Sequence, residues 1–190
     1  MAPTEKLPHS SHQAPPGMIL RPVGIIRNKV QDPFLAAGDD GIAMQGPIDV
    51  IKAEIREMRQ EISEIVINEN LLDILDGIDQ YSHLVVLYWA HKVPEPSRAL
   101  VKVHPMGRKE IPQVGIFCTC SPARPNPVLL SVVRLCGRQG NVLQVIGLDA
   151  VDGSPVVDIK PYVKNLYPQE EVLIPDWMQR IQEEVGEGKP

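Results

Sequence analysis

Aromatic side chains are scarce. Phenylalanine, tryptophan and tyrosine together make up 4% of the 190 residues, so aliphatic side chains must fill any core. Three cysteines are a sparse and odd set, which argues against a disulfide scaffold and for a reducing cytoplasm. No apolar run approaches the roughly 18 residues that a membrane-spanning helix needs. The opening stretch MAPTEKLPHSSHQAPPG has no apolar h-region, so it is not read as a secretory signal; residues 1–17 are expected to form a disordered, proline-rich leader. With no GxGxxG and no long βαβ alternation, a Rossmann-type cofactor site is not expected.

What is present is ordinary for a soluble domain: 43% hydrophobic residues, 23% charged, and enough length for one core with tails. Nineteen prolines are the exception, and they cluster. The formal net charge of −5 hides an uneven distribution. Between Lys92 and Arg138 lie eight Lys/Arg and two acids, leaving 11 basic and 22 acidic residues elsewhere. Such a segment either steers a phosphate-bearing ligand or is a solvated face with chance clustering.

Along the chain, Met18 to Asn28 reads as a strand, and Gln31 to Pro47, rich in Gly, Asp and Pro, as a long loop. Ile48, Ile51, Ile55, Met58 and Ile62 follow helical spacing after Pro47, which suits a first turn. EIVI reads as a strand, LLDILDGI as a short helix ending at Gly77, and HLVVLYW as a buried strand. RALVKVH alternates as a strand wet on one face, and QVGIFCTC and PVLLSVVRLC read as two more. A hairpin is expected around Arg138-Gln139-Gly140-Asn141, then the strand PVVDIKPY, and a helix over Pro175 to Glu184. Many short strands with few helices predict a mainly β fold, a small antiparallel barrel or sandwich.

Two segments concentrate unusual chemistry. Ser121-Pro122-Ala123-Arg124-Pro125-Asn126-Pro127 holds three prolines, which stiffen the backbone and leave carbonyls free. It is a stiff barrel connection, a peptide-like polyproline ligand, or a pre-organised loop whose Arg124 grips a carboxylate or phosphate. The second runs from Leu148 through Asp149, Asp152, Gly153, Ser154 and Pro155 to Asp158, Lys160 and Tyr162. Asp-Gly-Ser-Pro is turn chemistry. Asp149 or Asp152 also suits ribose hydroxyls or an ammonium group, while Asp158 and Lys160 alternate onto one face and suit a mutual pair.

GIFCTCSPARPNPVLLSVV followed by GLDAVDGSPVVDIKPY resembles the TsaA-like family, also called TrmO. PVGIIRN resembles the opening strand of that family, and DGIDQYSHLVVLYWAHK its segment ending in His-Lys. The resemblance covers about Met18 to Tyr162, with two long motifs in the right order. It implies a single β-barrel domain over 18–165 with a helical insertion near 47–61 and a C-terminal extension over 166–190. It also implies a homodimer that binds S-adenosylmethionine near the subunit interface and methylates N6-threonylcarbamoyladenosine beside the tRNA anticodon. Carried over by motif, the cofactor contacts fall on Ala43, Met44, Gln45, His91, Lys92, Cys120, Leu130, Asp152, Gly153 and Ser154. Arg124, Asn126 and Lys160 are the candidates for phosphate or substrate. The family arginines are replaced here by Met44 and Cys120, and its Ile-Gly-Leu by Val128-Leu129-Leu130.

Methyl transfer from a sulfonium needs alignment and exclusion of water, not a covalent enzyme intermediate. A carbamoylated adenosine N6 is a poor nucleophile, so a base is expected, with His91 first and Asp152 second. His91 is equally read as a packed histidine after a core strand. Cys118, Cys120 and Cys136 lack a fourth ligand at sensible spacing, His104 being the nearest candidate, so no metal site is expected. The alternatives are a non-catalytic binder of S-adenosylmethionine or a nucleotide, and a methyltransferase for another small substrate.

Overall fold

A computed structural model describes residues 17, 19–38, 41–44 and 46–186. The leader over 1–17, apart from Gly17, and Gln45 of the expected cofactor set lie outside them. Among the described residues there are ten strands: β1 (Gly24–Arg27), β2 (Leu35–Gly38), β3 (Gly41–Met44), β4 (Ile62–Ile67), β5 (His83–Trp89), β6 (Lys102–Val103), β7 (Val114–Gly115), β8 (Val128–Gln139), β9 (Val142–Ile146) and β10 (Pro155–Pro161). Two α-helices accompany them, α1 (Ile48–Gln60) and α2 (Asp176–Gly186).

Six strands close an antiparallel barrel in the order β1-β10-β5-β8-β9-β4, with β4 pairing back to β1. Closure leaves no open edge in this sheet. Alternation along the strands turns Ile26, Ile65, Ile67, Leu84, Val86, Val133, Leu143, Val145 and Val156 into one buried cluster. The expected aliphatic core is therefore the barrel interior. At the closing seam the backbones run very close: a Cβ on Gly24 would stand 2.4 Å from the Val66 carbonyl oxygen. Glycine there is required by space.

The β8–β9 hairpin turns where the sequence predicts it, with Gly140 in the left-handed region (φ 59°). Helix α1 follows Pro47, with Asp49 in its first turn and Arg59 in its last, both favourable to the helix dipole. LLDILDGI forms tight helical turns over Glu69–Leu75 and Ile78–Gln80.

Three expectations need correction. The loop Gln31 to Pro47 contains a hairpin, β2 paired with β3 from Leu35↔Met44 to Gly38↔Gly41. The two strands are only four residues each, and the density of Gly, Asp and Pro in this stretch reads as loop. RALVKVH is not a strand; it holds a tight turn over Pro96–Ala99 and only the two residues of β6. Pro94 and Pro96 remove ladder donors, and the Arg98 guanidinium stacks 5.5 Å from the Trp89 ring. QVGIFCTC likewise holds β7 and then a helical turn over Ile116–Cys118, so Cys118 and Cys120 share no strand face. That turn forms because Ile116 is buried, Phe117 points outward, and the Thr119 hydroxyl donates back to the Ile116 carbonyl at 2.8 Å.

Candidate functional site

Strand β5 carries the chain to one end of the barrel, where Ala90 donates its N–H to the Pro127 carbonyl at 2.8 Å. His91 and Lys92 follow directly. The turn before β10 approaches the same place. Its shape is fixed by the segment after β1: Asp152 donates its N–H to the Val30 carbonyl at 2.7 Å, and the Asp152 carboxylate accepts the Asn28 N–H at 2.9 Å. Asn28 Nδ2 donates to the Ala150 carbonyl at 2.8 Å. Gly153 completes the turn in the left-handed region (φ 77°), delivering the buried Ser154 hydroxyl to within 3.3 Å of His91 Nδ1.

Between these segments lies a cavity of about 340 Å³, in the size range of small-molecule sites. One wall is the barrel end, with Tyr88, Ala90, His91, Leu129, Asp149 and Ser154. A second is the stretch Thr119-Cys120-Ser121-Pro122. Ile51, Ile55 and Met58 of α1 and Trp177, Met178 and Ile181 of α2 supply apolar walls. Met106, a non-glycine residue held at φ 54°, also lines it, a backbone strain of the kind that collects at ligand sites.

The polar groups are few and differ in state. Burial lowers the His91 pKa, the adjacent Lys92 adds to this, and Asp152 opposes it, so the imidazole is neutral near pH 7. Lys92 donates to the Gln31 carbonyl and lies 3.1 Å from Asp32, tying the segment after β1 to the cavity rim. Asp149 is open to the hollow but closely surrounded by protein, and this desolvation holds its carboxyl above the usual carboxylate range; Arg59 opposes the shift. The Tyr88 hydroxyl, pushed up by burial and by Asp149, donates to the Asp149 carbonyl.

The structure brings together His91, Lys92, Cys120 and Ser154 on the cavity wall, with Gly153 packed against the His91 ring. Asp152 does not line it; its carboxylate holds the turn. Leu130 faces outward at 57% exposure, and its neighbour Leu129 lines the cavity instead. Ala43, on β3, is exposed. The phosphate candidates do not converge on the cavity. Arg124 folds onto its own loop, donating from Nε to the Ser121 carbonyl at 2.7 Å and from Nη2 to the Thr119 carbonyl at 2.5 Å. Asn126 is exposed, and Lys160 pairs with Asp158 as the alternation predicts. Much of the basic stretch is engaged internally, through Lys92, Arg98, Arg108, Arg124 and Arg138; Lys102, Lys109 and Arg134 are exposed.

The sequence reading omits Tyr88, Met106 and the two helices from the site. An apolar helical stripe signals a covered face without saying what it covers. From sequence, Asp149 suits ribose hydroxyls or an ammonium group, not the role of a base.

Residues 52–166 match the family described as tRNA-methyltransferase O N-terminal domain. A probable S-adenosyl-L-methionine-binding protein of Methanothermobacter thermautotrophicus is 41% identical over 147 residues, covering 77% of this chain and 91% of that protein. The tRNA (adenine(37)-N6)-methyltransferase of Escherichia coli is 31% identical over 146 residues, 74% of this chain and 56% of that protein. The crystal structure of TrmO from Pseudomonas aeruginosa shares the fold at a TM-score of 0.60 and 24% identity, covering 87% of this chain and 63% of that one. The barrel and its matched segment place this chain in the tRNA-methyltransferase O family.

Proposed function

We propose that this protein transfers the methyl group of S-adenosylmethionine to N6 of N6-threonylcarbamoyladenosine beside the tRNA anticodon. As a member of the tRNA-methyltransferase O family it is an S-adenosylmethionine-dependent methyltransferase. The finer substrate rests on the family resemblance and on the relative named for adenine-37 N6 methylation.

The cavity of about 340 Å³ beside His91-Lys92 and the Gly153-Ser154 turn is the observation that carries this reading. Its residues fit the cofactor. Leu129, Val151 and Pro122 offer apolar surface for an adenine. Thr119, Ser121 and Ser154 add hydroxyls. When bound, the sulfonium supplies an already activated methyl group. The chain's own part is to hold, orient and exclude water, and α1 and α2 do the last with apolar side chains.

We further propose a cytoplasmic homodimer. Free, exposed Cys118, Cys120 and Cys136 suit a reducing compartment. Leu130 and Val132, 57% and 41% exposed on β8, offer an apolar strip for a second copy.

Nucleoside mass spectrometry tests the reading. The full chain is incubated with S-adenosylmethionine and tRNA either carrying or lacking the threonylcarbamoyl group. One added methyl on the modified adenosine alone is expected. Methylation of both tRNAs equally contradicts the finer substrate, and methylation of neither contradicts the tRNA reading.

A further inference from the structure

Asp149 is the one carboxylate among the described residues of the cavity wall. No hydrogen bond to its carboxylate oxygens is present among the described residues; its backbone makes the local contacts instead. The Asp149 carbonyl accepts from the Tyr88 hydroxyl, and its N–H donates to the Ser131 hydroxyl at 3.4 Å. Anchored by its main chain, the side chain keeps its proton-accepting oxygens available to whatever fills the hollow. The Asp152 carboxylate is engaged by the Asn28 N–H at 2.9 Å, and the His91 ring is engaged at Nδ1 by the Ser154 hydroxyl at 3.3 Å.

We propose that Asp149 is the proton acceptor of the methyl transfer. The assignment rests on the methyltransferase reading above. In the balanced step an N6–CH3 bond forms as the methyl–sulfur bond breaks, its electron pair staying on sulfur, and the N6 proton passes to the Asp149 carboxylate. Desolvation favours this role, because a carboxylate held above its usual range is a stronger base than an exposed one. Tyr88 from β5 and Arg59 from α1 act on it directly, and the other titratable groups on the same cavity wall are His91 and Lys92 from the segment after β5 and Cys120 from the 119–122 stretch. From α2 come Trp177, Met178 and Ile181, which do not titrate.

The test uses the full chain as wild type, Asp149→Asn and Asp149→Glu. Calorimetric titration with S-adenosylmethionine is read beside single-turnover methyl transfer to tRNA carrying N6-threonylcarbamoyladenosine. We expect cofactor affinity within threefold of wild type in Asp149→Asn, transfer slower by about 100-fold or more, and partial recovery in Asp149→Glu. The wild-type rate should fall as pH drops through the carboxyl titration, and Asp149→Asn should lack that limb. Carboxyl NMR of the unliganded protein should show Asp149 titrating above the ordinary range.

Transfer by Asp149→Asn within threefold of wild type overturns the assignment. So does loss of cofactor binding in folded Asp149→Asn, which would make the carboxylate a partner for the cofactor ammonium. A normal carboxyl titration overturns it independently of folding or turnover. Failure of the wild type to bind cofactor or to methylate this tRNA contradicts the functional reading itself, and the assignment with it.

Discussion

Arg108 joins the segment after β6 to the C-terminal helix: its Nη1 lies 2.5 Å from Glu184 Oε2, while its Nε lies 2.6 Å from Glu110. The contact sets α2 against the cavity, where Trp177, Met178 and Ile181 form part of the wall. The pair is partly exposed, so its loss should cost the whole fold less than about 1 kcal/mol. Its effect on α2 should be larger. In Glu184→Gln, hydrogen exchange across Asp176–Gly186 should accelerate while the barrel strands stay protected. Unchanged exchange in α2 would show that its apolar contacts alone hold it.

Arg124 serves its own loop. Two of its nitrogens cover the carbonyls of Thr119 and Ser121, which proline-rich neighbours leave without ladder partners. Arg124→Ala should destabilise the fold by about 1–3 kcal/mol in urea unfolding, the cost of stranded acceptors. Arg124→Lys should recover little, since an ammonium cannot span both carbonyls as the planar fork does.

The barrel seam gives a steric prediction. Gly24→Ala places a methyl 2.4 Å from the Val66 carbonyl oxygen and 3.0 Å from Ile67 Cα, both backbone. Strand β4 must shift, at a cost of about 1–3 kcal/mol, read as a lower urea midpoint with unchanged slope.

For His91 the sign is set by desolvation and Lys92, which together lower its pKa in the folded protein. Its NMR titration midpoint should therefore fall below the ordinary histidine value. The unfolded chain takes up this proton at higher pH than the fold does. His91 thus contributes stability that is full above the unfolded-state value and is lost as pH falls through the folded one. The unfolding free energy of His91→Asn should vary less steeply with pH over that window.

Strands of the barrel were legible where apolar alternation or a continuous run was long enough, as in HLVVLYW, PVLLSVVRLC and PVVDIKPY. RALVKVH alternates just as cleanly, yet Pro94, Pro96 and the Arg98–Trp89 stack turn it into a loop. A period of two records which side chains are wet, and a tight turn followed by an extended pair produces the same record. The hairpin over 35–44 was hidden for the converse reason, because glycine and aspartate signal turns at any density. His91, Lys92, Cys120 and Ser154, which the motifs single out, line the cavity. Asp149 is legible in the sequence as a group for ribose or ammonium but not as a base, because a carboxylate without hydrogen-bond partners inside a hollow is encoded by no local pattern. Ile51, Met58 and Trp177 escaped because wall and core have the same chemistry.

If S-adenosylmethionine occupies the cavity beside His91 and Ser154, filling that cavity must abolish its binding. Calorimetric titration of S-adenosylmethionine into the full chain and into Ala90→Trp, which fills the cavity, tests it most directly. Saturable binding at one site per chain is expected for wild type and none for the folded variant. No heat for wild type at about 1 mM cofactor, or equal binding by both proteins, would contradict it.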